Sequence, residues 1–325
     1  MPIFPATPAN IERAAHVIRD GRLVAMPTET VYGLAADATN GRAVAAIYEA
    51  KGRPRFNPLI VHVASLEQAR ELVVLTPLAE RLAAAFWPGP LTLVLRARKD
   101  NGIAGLVRAG LETLAIRMPA HPVARALLAE CGRPLAAPSA NKSGRISPTM
   151  AVHVADEFGA EVGIILDGGV CARGLESTIL DASGHLLVLL RPGAIAAEAF
   201  ELACGASVVR AIPDPGAPTA PGQLASHYAP RARVRLDAVS VQPGEALLAF
   251  GREVPMTTGP VMNLSASGDV VEAAQNLFAA LRTLDASGAA AIAVMPIPAH
   301  GLGEAINDRL SRAAAPRGSD HQKKV

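Results

Sequence analysis

Four polar segments concentrate the residue types that bind small anionic substrates. The densest is Lys51-Gly52-Arg53-Pro54-Arg55-Phe56-Asn57-Pro58, with three cations inside five residues. Its glycine and prolines stop the preceding helix, so the cations stay in one loop instead of spreading around a helix. Forked guanidiniums beside a point-charge ammonium suit a polyphosphate. Solvated cations closing a helix C-terminus fit the same residues. His62, just beyond, fits a satisfied core histidine as well as a ligand contact. Pro27-Thr28-Glu29-Thr30-Val31-Tyr32-Gly33-Leu34 follows an apolar run. Hydroxyls at a strand end can line a ligand crevice; Thr28 or Thr30 can equally cap a helix.

The third segment runs from Ala136 to Thr149. Small residues let a ligand approach the backbone. The hydroxyl, amide and cationic donors of Ser139, Asn141, Lys142, Ser143, Arg145 and Ser147 suit phosphate or ribose. An ordinary surface turn is the alternative. The fourth joins Asp167-Gly168-Gly169, Arg173 to Asp181, and Arg191-Pro192-Gly193. Glycines near Ser177-Thr178 suggest close backbone approach, against a plain hairpin with an exposed arginine.

The elements that must carry these segments alternate between helix and strand. Ile11, Ala14, Ala15 and Ile18 predict a helix over 9–20, stopped by Gly21. Helices are also predicted over 43–51 and 77–87. Strands are predicted over 23–26, 59–63, 91–95, 113–118, 162–167, 177–181 and 186–190. Short connections argue for a mixed sheet in an α/β fold. The Pro/Gly-rich stretch 211–230 can be neither helix nor central strand and predicts a semi-extended linker. Beyond it, strands over 234–236, 246–250, 261–264 and 291–295, with helices over 270–284 and 303–314, predict a smaller βαβ domain. The expected organisation is a catalytic domain over 1–205, a linker over 206–233, a C-terminal domain over 234–315 and a disordered tail over 316–325.

Composition narrows the function. Among 325 residues, Lys plus Arg is 31 and Asp plus Glu is 29. A net charge of +2 argues against holding nucleic acid by bulk charge. The 3% aromatic content argues against a single-strand stacking platform. Cys131, Cys171 and Cys204 form no CxxC, and read as buried small hydrophobes in a reducing compartment. No signal peptide or membrane-length apolar run is seen, so a cytoplasmic location and no membrane contact are expected. Walker A, GxGxxG, HExxH and GxSxG motifs are absent, and the eight histidines lack metal-ligand spacing.

Taken together, the segments resemble one family. Thr28-Glu29-Thr30-Val31-Tyr32-Gly33-Leu34, Lys51-x-Arg53, Ser139-x-Asn141, Ser177-Thr178-Ile179 and His227-Tyr228-Ala229-Pro230 resemble the Sua5 branch of the YrdC/Sua5 family, in order and spacing and over all but the tail. The Lys-x-Arg and Ser-x-Asn pairs are that family's signature. Its members are threonylcarbamoyl-AMP synthases. The resemblance implies a YrdC-like twisted open mixed sheet with helices, plus a Rossmann-like C-terminal domain. It implies formation of threonylcarbamoyl adenylate and pyrophosphate from L-threonine, bicarbonate (or CO2) and ATP, for t6A37 modification of tRNAs that read ANN codons. A threonine site of Thr30, His62, Arg117, Ala137 and Ser177 is implied. So is an ATP site of Lys51, Arg53, Asn57, Thr113, Ser139, Asn141, Ser147, Arg191 and Tyr228. Pro221-Gly222-Gln223-Leu224 departs from the family by lacking a cation before the His-Tyr-Ala-Pro run.

The absence of a nucleophile–base pair argues against a covalent enzyme intermediate. Lys51 and Arg53 are expected to act by offsetting phosphate charge, and Arg117 by clamping a carboxylate. ATP is expected with Mg²⁺, no acidic metal cage being visible. The expected partners are the small substrates and a downstream complex that transfers the threonylcarbamoyl group, with at most weak tRNA contact. An RNA-binding module, a carbamoyl-transfer domain of the hydrogenase-maturation kind and a nucleotide sensor are the rival functions.

Overall fold

The computed structural model describes residues 3–212 and 218–316. The tail expected to be disordered, apart from its first residue, and part of the Pro-rich stretch lie outside them. Capping residues set where helices begin. The side chains of Thr7, Asn40, Ser65 and Thr76 accept backbone N–H groups at the starts of helices Pro8–Arg19, Gly41–Lys51, Leu66–Leu72 and Pro77–Phe86, satisfying donors that have no partner inside a helix. Gly52 ends the second of these in the left-handed region, at φ 60°, where a glycine carries no Cβ penalty.

Contacts divide the chain into two compact units, Met1–Ser143 with Ser147–Gln223, and Leu224–Val325 with Gly144–Ile146. The first unit contains β1 (Ile3–Pro5), β2 (Val24–Met26), β3 (Gly33–Asp37), β4 (Ile60–His62), β5 (Leu91–Arg96) and β6 (Thr113–Arg117). It continues with β7 (Leu135–Ala136), β8 (Ile164–Asp167), β9 (Thr178–Asp181), β10 (Leu187–Arg191) and β11 (Val208–Arg210). They form one sheet in the order β1-β8-β2-β3-β7-β4-β6-β5-β9-β10-β11. Parallel pairs such as β4/β6 and β5/β9 mix with antiparallel pairs such as β2/β3 and β5/β6, the mixed α/β sheet that the spacing predicts. The predicted strands and helices are all present, with ends moved by a few residues. Four strands of this unit are not among those predicted, β1, β3, β7 and β11; β3 is Gly33-Leu-Ala-Ala-Asp, and β7 has only two residues.

Strand periodicity separates the two faces of the central sheet. Val61, Leu93, Ile116, Leu180 and Leu189 join the large core beneath the helices. Their neighbours Ile60, Val94, Ala115, Ile179 and Leu190 form a smaller cluster on the opposite face, with Ala220. That second face also carries His62, Thr92, Thr113 and Arg117, at even steps along the same strands. Cys131 and Cys171 are buried and Cys204 is half-buried; burial pushes the first two thiols up to about 12.

The second unit has a four-stranded parallel sheet of β12 (Arg233–Arg235), β13 (Glu245–Ala249), β14 (Val261–Asn263) and β15 (Ala291–Val294), in the order β12-β15-β13-β14. Helix Val270–Ala286 links β14 to β15, and helix Leu302–Ala314 follows. Among the described residues no helix is long and apolar enough to cross a membrane.

Candidate functional site

The turn set by Gly52 sends Lys51 and Arg53 inward and leaves Arg55 exposed. The Lys51 ammonium donates to the carbonyl of Ser139 at 2.5 Å and to that of Asn141. Ser143 N–H returns a bond to the Lys51 carbonyl at 2.8 Å. Arg53 donates to Asn57 Oδ1 at 2.6 Å and to the Pro58 carbonyl at 2.8 Å. Lys51, Arg53, Asn57, Ser139 and Asn141 therefore come together. Among the described residues Lys51 meets carbonyl oxygens and no carboxylate within ion-pair distance. Burial, and then the charge of Arg53, hold its ammonium well below the usual lysine range. A polyanion entering this loop would oppose both causes. Asn57 Nδ2 is buried with no partner among the described residues, a donor open to a ligand. Lys142 sits beside this cluster, donating to the Ala50 carbonyl at 2.8 Å and pairing with Glu161 at 2.7 Å.

The Thr28–Thr30 stretch caps no helix; it leads into β3. Thr28 Oγ1 and Thr30 Oγ1 lie 2.8 Å apart, and Thr28 donates to the Val31 carbonyl at 2.6 Å. Leu34 N–H reaches the Pro138 carbonyl and Ala140 N–H the Tyr32 carbonyl, which ties this loop to the Ser139 segment. Gly33 leaves only 3.3 Å between an added Cβ and Ala137 Cβ, so Ala137 sits in the same wall. Arg117 ends β6 beside His62, its register partner on β4. Its guanidinium donates to Glu29 at 2.6 Å, to Thr30 Oγ1 at 2.9 Å and to the Gly89 carbonyl at 3.2 Å. Arg117 is thus already engaged, and the carboxylate clamp expected of it has to work with the donors that remain.

His62 is 3% exposed, and its Nδ1 is buried without a hydrogen bond among the described residues, unlike a satisfied core histidine. Burial, and then the charge of Arg117, push its pKa down to about 3. Between there and the ordinary value near 6.5 the unfolded chain binds a proton that the folded chain does not, so stability falls as pH falls through that window. Denaturant unfolding should show a steeper loss for the wild type than for His62→Gln, by up to about 1.4 kcal/mol per pH unit. Equal slopes would contradict the neutral buried imidazole.

A third group forms where β9 begins. Thr92 Oγ1 and Ser177 Oγ lie 2.7 Å apart, and Arg191 donates to the Ser177 carbonyl at 2.8 Å and to its hydroxyl at 3.2 Å. Arg191 is buried, which disposes of the exposed-hairpin alternative. A β-bulge puts it there. Leu189 pairs with Leu180 but Arg191 pairs with Ile179, so the extra residue returns Arg191 to the second face of the sheet. Ser147 Oγ donates to Glu176 at 2.5 Å. A Cβ on Gly193 would lie 2.5 Å from Glu176 O and Thr178 N. Gly193→Ala should therefore displace the backbone around Ser177 and cost about 1–3 kcal/mol, read as a lower Tm; an unchanged Tm would refute that packing.

Two expected site residues stand outside these groups. Thr113 lies on the Arg117 face of β6 but four residues away, paired with Arg96. Tyr228 belongs to the second unit, where its ring stacks on Phe278 at 5.6 Å with the Arg309 guanidinium 5.0 Å from its centre. Sequence reasoning passed over Glu29, Thr92 and Glu176 as members of the site. The available signal was the lone carboxylate between Thr28 and Thr30, directly after a strand.

The Sua5/YciO/YrdC family model, described as telomere recombination, matches residues 16–193. The chain belongs to the Sua5/YciO/YrdC family. A second model, the threonylcarbamoyl-AMP synthase C-terminal domain, matches residues 195–315, so the Sua5-type pairing of domains that the sequence resembles is present. The threonylcarbamoyl-AMP synthase of Pyrococcus abyssi (strain GE5 / Orsay) is 44% identical over 324 residues, covering 94% of each chain. That of Bacillus subtilis (strain 168) is 42% identical, covering 94% of this chain and 93% of its own. The crystal structure of P. abyssi Sua5 complexed with L-threonine has a TM-score of 0.88 and 39% identity, covering 96% of both chains.

Proposed function

We propose that this Sua5-family chain makes L-threonylcarbamoyl-AMP and pyrophosphate from L-threonine, bicarbonate (or CO2) and ATP. The observation that carries the proposal is the pair of buried cations in one loop, Lys51 on the Ser139 and Asn141 carbonyls and Arg53 on Asn57 and the Pro58 carbonyl, in the same unit as the Arg117, His62 and Ser177 groups. The likeness to a Sua5 complexed with L-threonine supports an amino-acid substrate. The neutral threonine amine adds to CO2 with loss of a proton, or to bicarbonate with loss of water, giving a carbamate. A carbamate oxygen attacks the α-phosphorus, the bond to the β-phosphate bridge breaks, and pyrophosphate carries away the displaced charge. Positioning and charge stabilisation suffice, without a covalent enzyme intermediate. Lys51 and Arg53 stabilise the phosphates, while Arg117, hydrogen-bonded to Thr30, orients the amino acid together with Ser177.

Among the described residues no group of three or more His, Cys, Asp or Glu side chains could hold a metal. Mg²⁺ enters as part of the MgATP substrate, held largely by phosphates and water. The product is a mixed anhydride, poised to pass its threonylcarbamoyl group to an adenosine of tRNA with the help of a separate transfer complex. Incubating the chain with ATP, threonine and bicarbonate tests the reaction. Pyrophosphate release should require both threonine and the carbon source. Release without threonine, or ATP binding without turnover, would overturn it.

A further inference from the structure

We propose that Glu29 is the positioning residue that aims Arg117 at the substrate's carboxylate and thereby sets selectivity for a free α-carboxylate. The inference rests on the threonine reading of the site. A guanidinium carries five N–H donors in one plane. In Arg117, Nε donates to Gly89 O at 3.2 Å, Nη1 to Thr30 Oγ1 at 2.9 Å and Nη2 to Glu29 Oε1 at 2.6 Å. Three contacts on three nitrogens fix the plane. Two donors remain, one on each terminal nitrogen, and N–H groups from the two terminal nitrogens of a guanidinium can meet the two oxygens of one carboxylate.

Glu29 is itself locked. Its second oxygen accepts Ala120 N–H at 3.1 Å, and its carbonyl accepts Arg173 N–H at 2.7 Å. Burial pushes its carboxyl up, but the charge and hydrogen bond of Arg117, with the Ala120 N–H, leave it below the usual carboxylate range. The charged pair is largely out of water, with side-chain exposures of 4% for Arg117 and 11% for Glu29. It is therefore close to neutral as a unit. An amino-acid zwitterion, also neutral overall, can be buried against it without leaving a net charge. A bare guanidinium there would attract the polyphosphate of the second substrate as well. Glu29 thus lets Arg117 read a carboxylate by shape while muting its attraction for other anions.

Glu29→Gln keeps the shape and removes the charge. Glu29→Asp keeps the charge and cannot span both Arg117 and Ala120. Calorimetry on the full chain would measure affinity for L-threonine and for L-threoninamide, whose carboxylate is a carboxamide, alongside the KM for ATP. Both variants should bind threonine roughly tenfold to a hundredfold more weakly, the loss of a charge-assisted hydrogen bond. The ATP KM should rise by no more than about twofold, and the preference for threonine over threoninamide should shrink by a similar factor to the threonine loss. An unchanged preference in a folded variant would overturn the proposal, as would threonine and ATP weakening together. Should Glu29→Gln fail to fold, Glu29→Asp decides. A wild type that binds threonine but releases no threonine-dependent pyrophosphate defeats the proposed reaction alone, since the preference ratio still tests Glu29.

Discussion

Lys51→Met is expected to lower the rate of pyrophosphate release by about 10²–10³-fold, the usual cost of removing one preorganised charge donor. Methionine keeps most of the buried stem and deletes only the ammonium. Two consequences follow. The carbonyls of Ser139 and Asn141 lose the donor that holds them together, and the phosphates lose a cation. The fold should tolerate the change better than the chemistry does, because burial already disfavours the charged lysine. Tm should move little, and a fluorescent ATP analogue should bind more weakly. Lys51→Arg should rescue poorly, since a planar fork cannot replace a point charge seated between two carbonyls. Turnover within about twofold of wild type in Lys51→Met would refute the role, given the size of the expected loss.

Arg117→Ala should be the more damaging substitution for stability. It leaves the Glu29 carboxylate buried beside an empty volume, and an unpaired buried charge costs about 3–5 kcal/mol. Threonine-dependent turnover should disappear as well. The Glu29→Ala, Arg117→Ala double variant should be more stable than the sum of the single losses implies, because it removes both charges at once. Denaturant unfolding of the three variants measures this directly. Strict additivity would mean that the 2.6 Å contact contributes no coupling.

Much of the site lay open in the one-dimensional pattern. Lys51, Arg53 and Asn57 are forced together by a glycine turn and two prolines, so their clustering needs no long-range information. Ser139 and Asn141 are close in sequence, and their role as carbonyl acceptors for Lys51 is a backbone property that residue type does not advertise. Glu29 was hidden for a related reason. A carboxylate between two threonines has meaning only once β6 brings Arg117 against it, 88 residues away. Thr92 becomes part of the site because β5 lies beside β9.

The residues by themselves determined the element order, the α/β class, the loops rich in donors and the family signature, because those features rest on local periodicity and spacing. Tertiary structure decided which donors were already spent and which side chains turned inward. Arg191 shows the difference. Alternation along β10 without its bulge puts that side chain on the other face; a one-residue bulge, set by pairing with β9, turns it toward Ser177. Side chains alternate with a period of two, so a single unpaired residue reverses the face. Such register depends on contacts between distant strands, which no local window of sequence contains.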